Sequence, residues 1–445
     1  LCCFILLTGL LAKAQPITVK KDTLVASMLT EVSAKSIEAT VRKLVSFQTR
    51  HTLSDTLSTK TGIGAARNWI KSEFEKYAKE SGGRLQVSFD TFTQAADGKR
   101  VPVPTVLKNV VAILPGTDPA DTRVFIVSGH YDSRASDVLD SQIFAPGAND
   151  DASGTAVAME LARVMSKKQF NCTLIFVAMV GEEQGLYGAT NLAKRAKEEK
   201  WNVAGMITND IVGNTYGIET DLKDNRSVRI FSEGVSQAET TAQGNLRTSI
   251  GSENDGFARQ FARYCKEVGE RYVDQLEVKL IFRRDRYLRG GDHTPFSQQG
   301  FAAIRVTEMN ENFNRQHQNV RQEKGVDYGD TPDFVDFTYT QKVARMNLAA
   351  LANLALAPQE PQQVKILTTE LTNKTSLKWL APAGEKPKGY YVVMRETTSP
   401  VWERKFFVTD TQASFNYSKD NYIFGVQALD EEGHESLVVL PSPGR

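Results

Sequence analysis

The spacing of apolar residues along the chain predicts helices first and strands afterwards. Apolar residues recur at helical spacing from Thr23 to Ser46 and again from Ala65 to Tyr77, which predicts amphipathic helices. Short runs rich in Val, Ile and Phe follow and are bounded by Gly, Pro and Asp, as in LQVSFDTF, KNVVAILPG and RVFIVSGHYDS. This composition and length predict strands.

Helical and strand-like segments alternate through the middle of the chain. Residues 153–166 and 185–199 predict helices, and the run CTLIFVAMV between them predicts a buried strand. Such alternation indicates an α/β fold with a mixed, largely parallel central sheet flanked by helices. Residues 214–256 are polar with few apolar residues, which predicts a long excursion or a partly mobile insertion rather than a domain.

The pattern changes again after the predicted helix QKVARMNLAALANLAL. A Pro- and Gln-containing linker at residues 358–361 is followed by short strand-like runs over residues 362–445, which predict a small all-β sandwich. The run YIFGVQALDEEGHES resembles the sixth strand of a fibronectin type III module. That resemblance places Tyr422 at a tyrosine corner and Trp379 in the module's core.

Residues 1–14 are mostly apolar and end in a small-x-small pattern, Ala-Lys-Ala, which predicts a signal peptide. The protein is therefore expected to be exported, to a periplasmic or extracellular location. An amphipathic or buried N-terminal helix is the alternative interpretation. No other run reaches the length of a membrane span. An exported protein permits a disulfide between Cys172 and Cys265, although a buried thiol is the commoner outcome for a cysteine that begins an apolar strand.

Composition excludes one class of partner. The chain has 445 residues and a formal net charge of +1, and it contains no Lys/Arg-rich block. Nucleic acid is therefore not an expected partner.

Five segments, in order, carry side chains that bind metal ions. They are SGHYDSR with His130 and Asp132, PGANDDASG with Asp150, VGEEQGLYG with Glu182 and Glu183, TNDIVGN with Asp210, and NRQHQNVR with His317. Imidazole and carboxylate groups are the ligands that zinc-like divalent ions need. Several of these residues directly follow apolar strand-like runs, and the carboxyl ends of such strands are where ligands bind in α/β sheets.

Each of these residues has an expected role. His130 is a metal ligand, and Asp132 fixes its tautomer from outside the ligand set. Asp150, just before a helix, is the expected bridge between two ions. Glu183 is assigned to metal and the adjacent Glu182 to general base catalysis, because neighbouring residues point in different directions.

The assignments of the remaining two ligands, Asp210 and His317, rest on the assignments already made. Asp210 supplies an oxygen ligand, and Asn209 beside it is expected to be an exposed or turn residue. His317 lies in a polar loop, where a histidine is usually exposed. It is a predicted ligand because each of two ions needs an imidazole and the chain has only five histidines. His293, in RGGDHTPF, is expected to form hydrogen bonds near the site.

The blocks SGHYDSR, PGANDDASG, GEEQGLYG, TNDIVG, GGDHTPF and ENFNRQHQNVR together resemble, in order and approximate spacing, the M28 family of zinc aminopeptidases. The resemblance covers roughly residues 40–355 and implies a zinc exopeptidase-like fold, with a peptidase domain over residues 15–357. It further implies two Zn²⁺ per chain, the first held by His130, Asp150 and Asp210 and the second by Asp150, Glu183 and His317. Glu182 matches the general base.

The resemblance also implies the reaction. A hydroxide between the ions would attack the first peptide bond of a peptide with a free N-terminus, and Glu182 would protonate the departing amine. Tyr287 and Arg289 match a segment that lines the substrate pocket in relatives. Glu308 is a candidate to bind the N-terminal amine.

Three alternatives remain open. A glutaminyl cyclase has a similar fold with one zinc, but GEEQGLYG lacks the insertion that follows the acidic pair in the animal cyclases. A carboxypeptidase would use the same metal arrangement. A non-catalytic binding protein would have lost a ligand, and none is missing, so the sandwich is expected to be accessory.

Overall fold

The computed structural model describes residues 19–384 and 386–444. These residues form two units, one spanning Lys21–Leu356 and one that contains the described residues from Ala357 onward. The predicted signal peptide, residues 1–14, lies outside the described residues, so export stays a prediction. No helix in the described part of the chain is both long and apolar enough to cross a bilayer.

The larger unit consists of helices and one main sheet. Its helices are α1 (Thr23–Glu31), α2 (Ala34–Val45), α3 (Gly62–Glu80), α4 (Ala152–Met165), α5 (Glu182–Gly185), α6 (Tyr187–Glu198), α7 (Thr241–Ile250), α8 (Phe257–Tyr272), α9 (His293–Gln298) and α10 (Phe337–Leu356), with a 3₁₀ turn at Pro332–Phe334. Its strands are β1 (Gln86–Gln94), β2 (Thr105–Leu114), β3 (Arg123–His130), β4 (Thr173–Met179), β5 (Asn202–Asn209), β6 (Ser227–Ser232), β7 (Glu277–Ile281), β8 (Ala303–Glu308), β9 (Arg321–Glu323) and β10 (Val326–Tyr328).

Eight of these strands form a mixed sheet in the order β1-β2-β4-β3-β5-β8-β6-β7. The central strands β4, β3, β5 and β8 are parallel to one another. Strand β2 is antiparallel to both β1 and β4, and β6 is antiparallel to β8. The predicted fold class, a mixed and largely parallel sheet, is confirmed.

Helices cover both faces of this sheet. Ile126 of β3 packs in a buried cluster with residues of α6 such as Leu192. The preceding residue, Phe125, points to the opposite face and meets Phe261 of α8, with ring centroids 6.2 Å apart. Because both faces are buried, the central strands carry the nearly continuous apolar runs noted in the sequence.

The prediction for residues 214–256 is wrong. The segment contributes β6 to the main sheet and also contains α7. In β6, Val228 and Ile230 are fully buried while Arg229 between them contacts Glu311. Such a short strand with polar neighbours on both sides gives too few apolar residues for its period to be recognised.

The smaller unit is all-β, as predicted. Its strands are β11 (Gln362–Leu367), β12 (Thr375–Leu380), β13 (Gly389–Glu396), β14 (Arg404–Val408), β15 (Gln412–Phe415), β16 (Tyr422–Leu429) and β17 (Ser442–Gly444). They form one four-stranded and one three-stranded sheet. Trp379 lies in the core and packs edge-on against Tyr390, with ring centroids 5.3 Å apart. Its resemblance to a fibronectin type III module stays a prediction.

Candidate metal centre

Three parallel strands bring predicted site residues to one edge of the sheet. Strand β3 ends at His130, which pairs with Met179 at the end of the neighbouring β4. Glu182 and Glu183 follow β4 after a short turn, and Asp210 directly follows β5. The sequence placed these residues correctly because the carboxyl ends of parallel strands lie side by side.

The start of α4 brings Asp150 to the same edge. Asp151 caps this helix by accepting a hydrogen bond from the backbone N–H of Gly154 at 2.9 Å. Its carboxylate also accepts from the backbone N–H groups of His130 at 2.9 Å and Ile211 at 3.2 Å. One carboxylate therefore ties α4 to the ends of two strands.

Two glycines allow this close packing of α4 against β3. A Cβ atom on Gly129 would lie 2.2 Å from the carbonyl carbon of Gly154, and a Cβ on Gly154 would lie 2.0 Å from the carbonyl oxygen of Asn209. Any larger residue at either position would separate the helix from the strand ends. The position of Asp150 thus depends on the absence of side chains at Gly129 and Gly154.

The residues at this edge form two groups. One consists of His130, Glu182 and Asp210, and the other of Asp150, Glu183 and His317. Within each group the possible ligand atoms lie within 4.8 Å of one another. Asp150 lies between the two imidazoles. Its Oδ1 is 3.2 Å from Nε2 of His130, and its Oδ2 is 2.9 Å from Nε2 of His317. Nε2 of His317 is also 3.0 Å from Oε2 of Glu183. A carboxylate in this position can share its two oxygens between two cations.

The donor set fits divalent zinc. Nδ1 of His130 donates to the carbonyl oxygen of Asp132 at 3.1 Å, which leaves Nε2 as the nitrogen that can bind a cation. That Nε2 is buried and has no hydrogen bond to any described residue. A buried nitrogen that makes no hydrogen bond and faces carboxylates is suited to binding a metal ion.

The carboxylates also alter how the histidines hold protons. Burial lowers the pKa of His317, but Glu183 and Asp150 outweigh burial and raise its pKa to about 10. Burial likewise lowers the pKa of His130, and Glu182 with Asp132 and Asp150 raises it well above its ordinary value. The site therefore attracts positive charge, and a divalent cation would replace these protons.

Asp132 positions the turn that carries the two glutamates. Its carboxylate accepts hydrogen bonds from Oγ1 of Thr52 at 2.9 Å and from the backbone N–H groups of Glu182 at 3.3 Å and Glu183 at 3.2 Å. Oδ1 of Asp132 lies 3.6 Å from Nδ1 of His130, so the carbonyl oxygen of Asp132 is the nearer acceptor. Asp132 thus holds both β3 and the turn after β4.

Glu182 and Glu183 face different partners. Glu183 points to His317, whereas Oε2 of Glu182 is 3.9 Å from Nε2 of His130. Burial raises the pKa of Glu182 well above its ordinary value, with Asp210 and Glu183 raising it further against the opposing effect of His130. The raised pKa favours the protonated form of this carboxyl group.

Two buried arginines brace the site and were not found from the sequence. Arg50 donates to the carbonyl oxygens of Tyr131, Pro146 and Gly147 at 2.6–2.7 Å. Arg305, on β8, is fully buried, and its Nη2 is 2.8 Å from Oδ1 of Asp210. A lone arginine within the apolar run FAAIRV was the available signal for Arg305, whereas Arg50 lies in a polar segment that gave none.

Asp330 is a further residue that the sequence did not indicate. Its carboxylate accepts from the backbone N–H groups of Asn149 at 2.8 Å and Asp150 at 2.7 Å. Burial raises the pKa of Asp330 to about 7. It lies in the connection after β10, where an acidic residue is usually exposed.

The predicted substrate-binding residues occupy different environments. Tyr287 is 79% exposed and lies under Arg283, and Arg289 is also exposed, so both are on the surface in this structure. His293 is buried and its Nε2 donates to the carbonyl oxygen of Arg284 at 2.8 Å. Their roles stay predictions.

Glu308 lies close to the two groups of ligands. Its carboxylate accepts from Nδ2 of Asn149 at 2.9 Å and from the backbone N–H of Asn214 at 2.7 Å. Together with Asp150 and Asp330 it lines a cavity of about 10 Å³. Its predicted role as a binder of the substrate amine stays a prediction.

The expectations for two other kinds of residue can be compared directly with the structure. Asn209 is fully buried and accepts a hydrogen bond from Nδ2 of Asn347 at 2.9 Å, so the prediction of an exposed or turn residue is wrong. Asn209 ends β5, and helices cover both faces of that strand. Its polar side chain is hydrogen-bonded to Asn347 of α10. Cys172 and Cys265 are buried thiols.

A third group with metal-binding side chains, Asp430, Glu432 and His434, lies in the smaller unit. Asp430 there accepts hydrogen bonds from the backbone N–H groups of Gly433 and His434, both at 2.8 Å. These bonds explain the arrangement as a turn.

Comparison with known proteins supports a hydrolytic role for the larger unit. The profile of peptidase family M28 matches residues 109–351, which include all seven side chains of the predicted catalytic and metal-binding set. A probable zinc metalloprotease of Leptosphaeria maculans is 46% identical over 421 residues, covering 94% of this chain and 97% of that protein. One from Pyrenophora tritici-repentis is 47% identical over 422 residues, covering 94% and 86%.

Solved structures share the fold at low sequence identity. LapB from Legionella pneumophila aligns with a TM-score of 0.53 at 19% identity, covering 78% of this chain and 79% of that one. A glutaminyl cyclase from Fimbriiglobus ruber aligns with a TM-score of 0.50 at 18% identity, covering 76% and 99%. The fold, the extent of the profile match and the identity to the fungal relatives lead to one conclusion, which confirms the resemblance seen in the motifs: this chain belongs to peptidase family M28, the family of its zinc metalloprotease relatives.

Proposed function

We propose that the protein is an aminopeptidase that uses two zinc ions to hydrolyse the first peptide bond of peptides with a free N-terminus. The observation that carries this proposal is the position of Asp150 between His130 and His317, 3.2 Å and 2.9 Å from their Nε2 atoms. One shared carboxylate between two separate imidazoles is the arrangement expected for a pair of ions and is unnecessary for one.

The ligands divide between the two ions. His130, Asp150 and Asp210 would hold the first ion, and Asp150, Glu183 and His317 the second. When bound, the ions supply Lewis acidity, which polarises the scissile carbonyl and makes water a nucleophile at neutral pH.

Glu182 would move the proton. Of the six residues in the two groups, Glu182 alone is not assigned as a metal ligand. Its raised pKa lets it accept a proton from water and return it to the departing amine. Asp132 holds the backbone of Glu182 and Glu183 together, so the two glutamates keep their separate directions.

Enclosure of the site favours attack at a chain end. His130, Asp150, Glu183 and Asp210 are all buried, so a peptide reaches them more readily by its terminus than by its middle. The N-terminal ammonium group of a substrate would need a carboxylate that the two ions do not neutralise. Glu308 is our candidate for contact with that group. The fold alone does not distinguish an aminopeptidase from a glutaminyl cyclase, because the glutaminyl cyclase structure shares it.

A panel of aminoacyl p-nitroanilides and short peptides tests the proposal. Zinc-loaded protein should release the N-terminal residue, a chelator should abolish release, and added zinc should restore it. No chelator-sensitive release from any member of the panel would refute the proposal. Cyclisation of an N-terminal Gln peptide would instead identify a glutaminyl cyclase. Release of the C-terminal residue from an N-acetylated peptide would identify a carboxypeptidase.

Export is a separate part of the proposal and is supported by the apolar run and Ala-Lys-Ala pattern of residues 1–14. Expression of the chain with this segment should place the protein outside the cytoplasm, in a form shortened at its N-terminus. Retention of the full-length chain in the cytoplasm would contradict it.

A further inference from the structure

Arg134 lies beside the second group of ligands and has few partners of its own. Its Nη2 is 3.2 Å from Nδ1 of His317, and its Nε is 3.7 Å from Oε2 of Glu183. The Nε atom is buried and has no hydrogen bond to any described residue. Arg50, by contrast, binds three carbonyl oxygens.

The contact between Arg134 and His317 is not a hydrogen bond when Nδ1 of His317 carries a proton, as it does in a metal-bound imidazole and in the protonated ring that the raised pKa of His317 favours. Nε2 of His317 faces Asp150 and Glu183, so Nε2 is the atom that would bind the ion. A neutral imidazole that gives the lone pair of Nε2 to a metal carries its proton on Nδ1. Arginine has only donors. Two N–H groups would then face each other, and no hydrogen bond can form between them.

Metal binding would also weaken the other contact of Arg134. Glu183, already 3.7 Å from Nε, would share its negative charge with the ion and would be a poorer acceptor for the guanidinium. The Arg134 side chain is 16% exposed, so a ligand can reach it. A partly buried cation with a poor acceptor is costly, and an anionic group on the substrate would satisfy it.

We propose that Arg134 forms a subsite for a carboxylate carried by the residue that follows the scissile bond. This inference rests on the proposed aminopeptidase function. The carboxylate could be the C-terminal group of a dipeptide, which one Cα separates from the scissile nitrogen, or the side chain of an acidic residue. Both offer two oxygens to the two-pronged donor face of a guanidinium.

Three substrates that differ only in this carboxylate test the inference. Leu-Gln carries a C-terminal carboxylate, Leu-Glu-amide carries a side-chain carboxylate, and Leu-Gln-amide carries neither. The zinc-loaded protein should hydrolyse at least one of the first two with a kcat/KM about tenfold or more above that of Leu-Gln-amide, the factor expected for a hydrogen bond to a charged group. The substrate with the higher value identifies the source of the carboxylate.

Variants separate recognition from a structural effect. For each variant we compare kcat/KM for the carboxylate substrate with kcat/KM for Leu-Gln-amide. Arg134→Gln should reduce this ratio towards one, and Arg134→Lys should retain part of the preference. Arg100→Gln is the matched control, because Arg100 donates to the carbonyl oxygen of Glu183 at 2.6 Å and has its acceptor already. The ratio should survive in Arg100→Gln, and metal content should be measured in every variant.

Calorimetric binding of the three peptides to zinc-loaded Glu182→Gln protein gives a readout that does not depend on turnover. Equal kcat/KM values for all three substrates in the unaltered protein, or an unchanged ratio in folded Arg134→Gln, would overturn the inference while leaving the aminopeptidase proposal intact. No hydrolysis of any of the three would count against the aminopeptidase proposal, and the binding measurement would then decide the inference by itself.

Discussion

Nη2 of Arg305 lies 2.8 Å from Oδ1 of Asp210, and both residues are buried. The same guanidinium lies 3.4 Å from Oδ2 of Asp285. One carboxylate oxygen of Asp210 therefore pairs with Arg305, and the other is available to bind a metal ion. Arg305 fixes the direction of this ligand before any metal arrives.

Replacing Arg305 should destabilise the protein. Arg305→Gln leaves the buried Asp210 without its arginine and removes one of the two arginines that contact Asp285. We expect a loss of about 3–5 kcal/mol in the free energy of unfolding of the metal-free larger unit. Urea unfolding measures this loss. Arg321→Gln is the control, since Arg321 pairs with Glu323 at the surface and should cost less than about 1 kcal/mol. Equal effects of the two substitutions would contradict the role of Arg305.

Asp150→Ala should affect both ions, whereas His317→Ala should affect one. Asp150 contacts both imidazoles, but His317 belongs to a single group of ligands. After dialysis against zinc-free buffer, elemental analysis should show well under one zinc per chain for Asp150→Ala and about one for His317→Ala. Asp333→Ala, at an exposed side chain, should retain the full content. If the first two variants retain equal zinc, Asp150 does not bridge.

Glu182→Gln should abolish turnover without removing metal. The amide has nearly the same shape but holds no transferable proton, so kcat should fall by about 10²–10⁴-fold. Zinc content should stay near two per chain. Glu199→Gln, at a residue that pairs with Arg195, is the control and should keep both properties. Near-normal turnover in Glu182→Gln would remove the assignment of the base.

The metal-free protein should lose stability as the pH rises from 6 to 9. The pKa of His317 is raised to about 10 in the folded protein, above the value of about 6.5 for an unfolded chain. Its stabilising effect is therefore complete below about pH 6.5 and is lost as the pH rises towards 10. Asp330, with its pKa raised to about 7, acts in the same direction over a lower range. Thermal melts at pH 6 and pH 9 measure the change.

Zinc should weaken this pH dependence. A bound ion replaces the proton on His317, and the ion binds more tightly as the pH rises, because its ligands must be deprotonated. The melting temperature of the zinc-loaded protein should therefore change less between pH 6 and pH 9 than that of the metal-free protein. A metal-free melting temperature that rises over this interval would refute the prediction.

Trp379→Ala should destabilise the smaller unit alone. The substitution removes a buried indole that packs against Tyr390 and should cost about 3–5 kcal/mol. In calorimetry, one transition should move to lower temperature, while zinc content and peptide hydrolysis are retained. Loss of zinc in a variant whose larger unit remains folded would contradict the division at residue 357.

The sequence predicted best the residues that follow strands. His130, Glu182 and Asp210 could be located because apolar runs mark the strands and parallel strands end at one edge. His317 lies in a long polar connection, and only the need for a second imidazole pointed to it. Its position is set by contacts with Asp150 and Glu183 that no local pattern reveals.

Residues that support the site were harder to find, because their roles depend on tertiary contacts. Arg50 and Asp330 act through hydrogen bonds to backbone groups far away in the chain, and such bonds leave no periodic signal. Tyr287 shows the opposite case. A motif suggested that it lines a pocket, but the side chain lies on the surface in this structure.

His317 is also the last of the five proposed metal ligands to leave the ribosome. A nascent chain that has not reached this residue contains His130, Asp150 and Asp210, enough for one group of ligands, but lacks an imidazole for the other. The complete centre can form only after most of the larger unit has been synthesised. If the protein binds two ions as proposed, acquisition of the second ion would be a late event in biogenesis, and incomplete chains released by premature termination would lack hydrolytic activity.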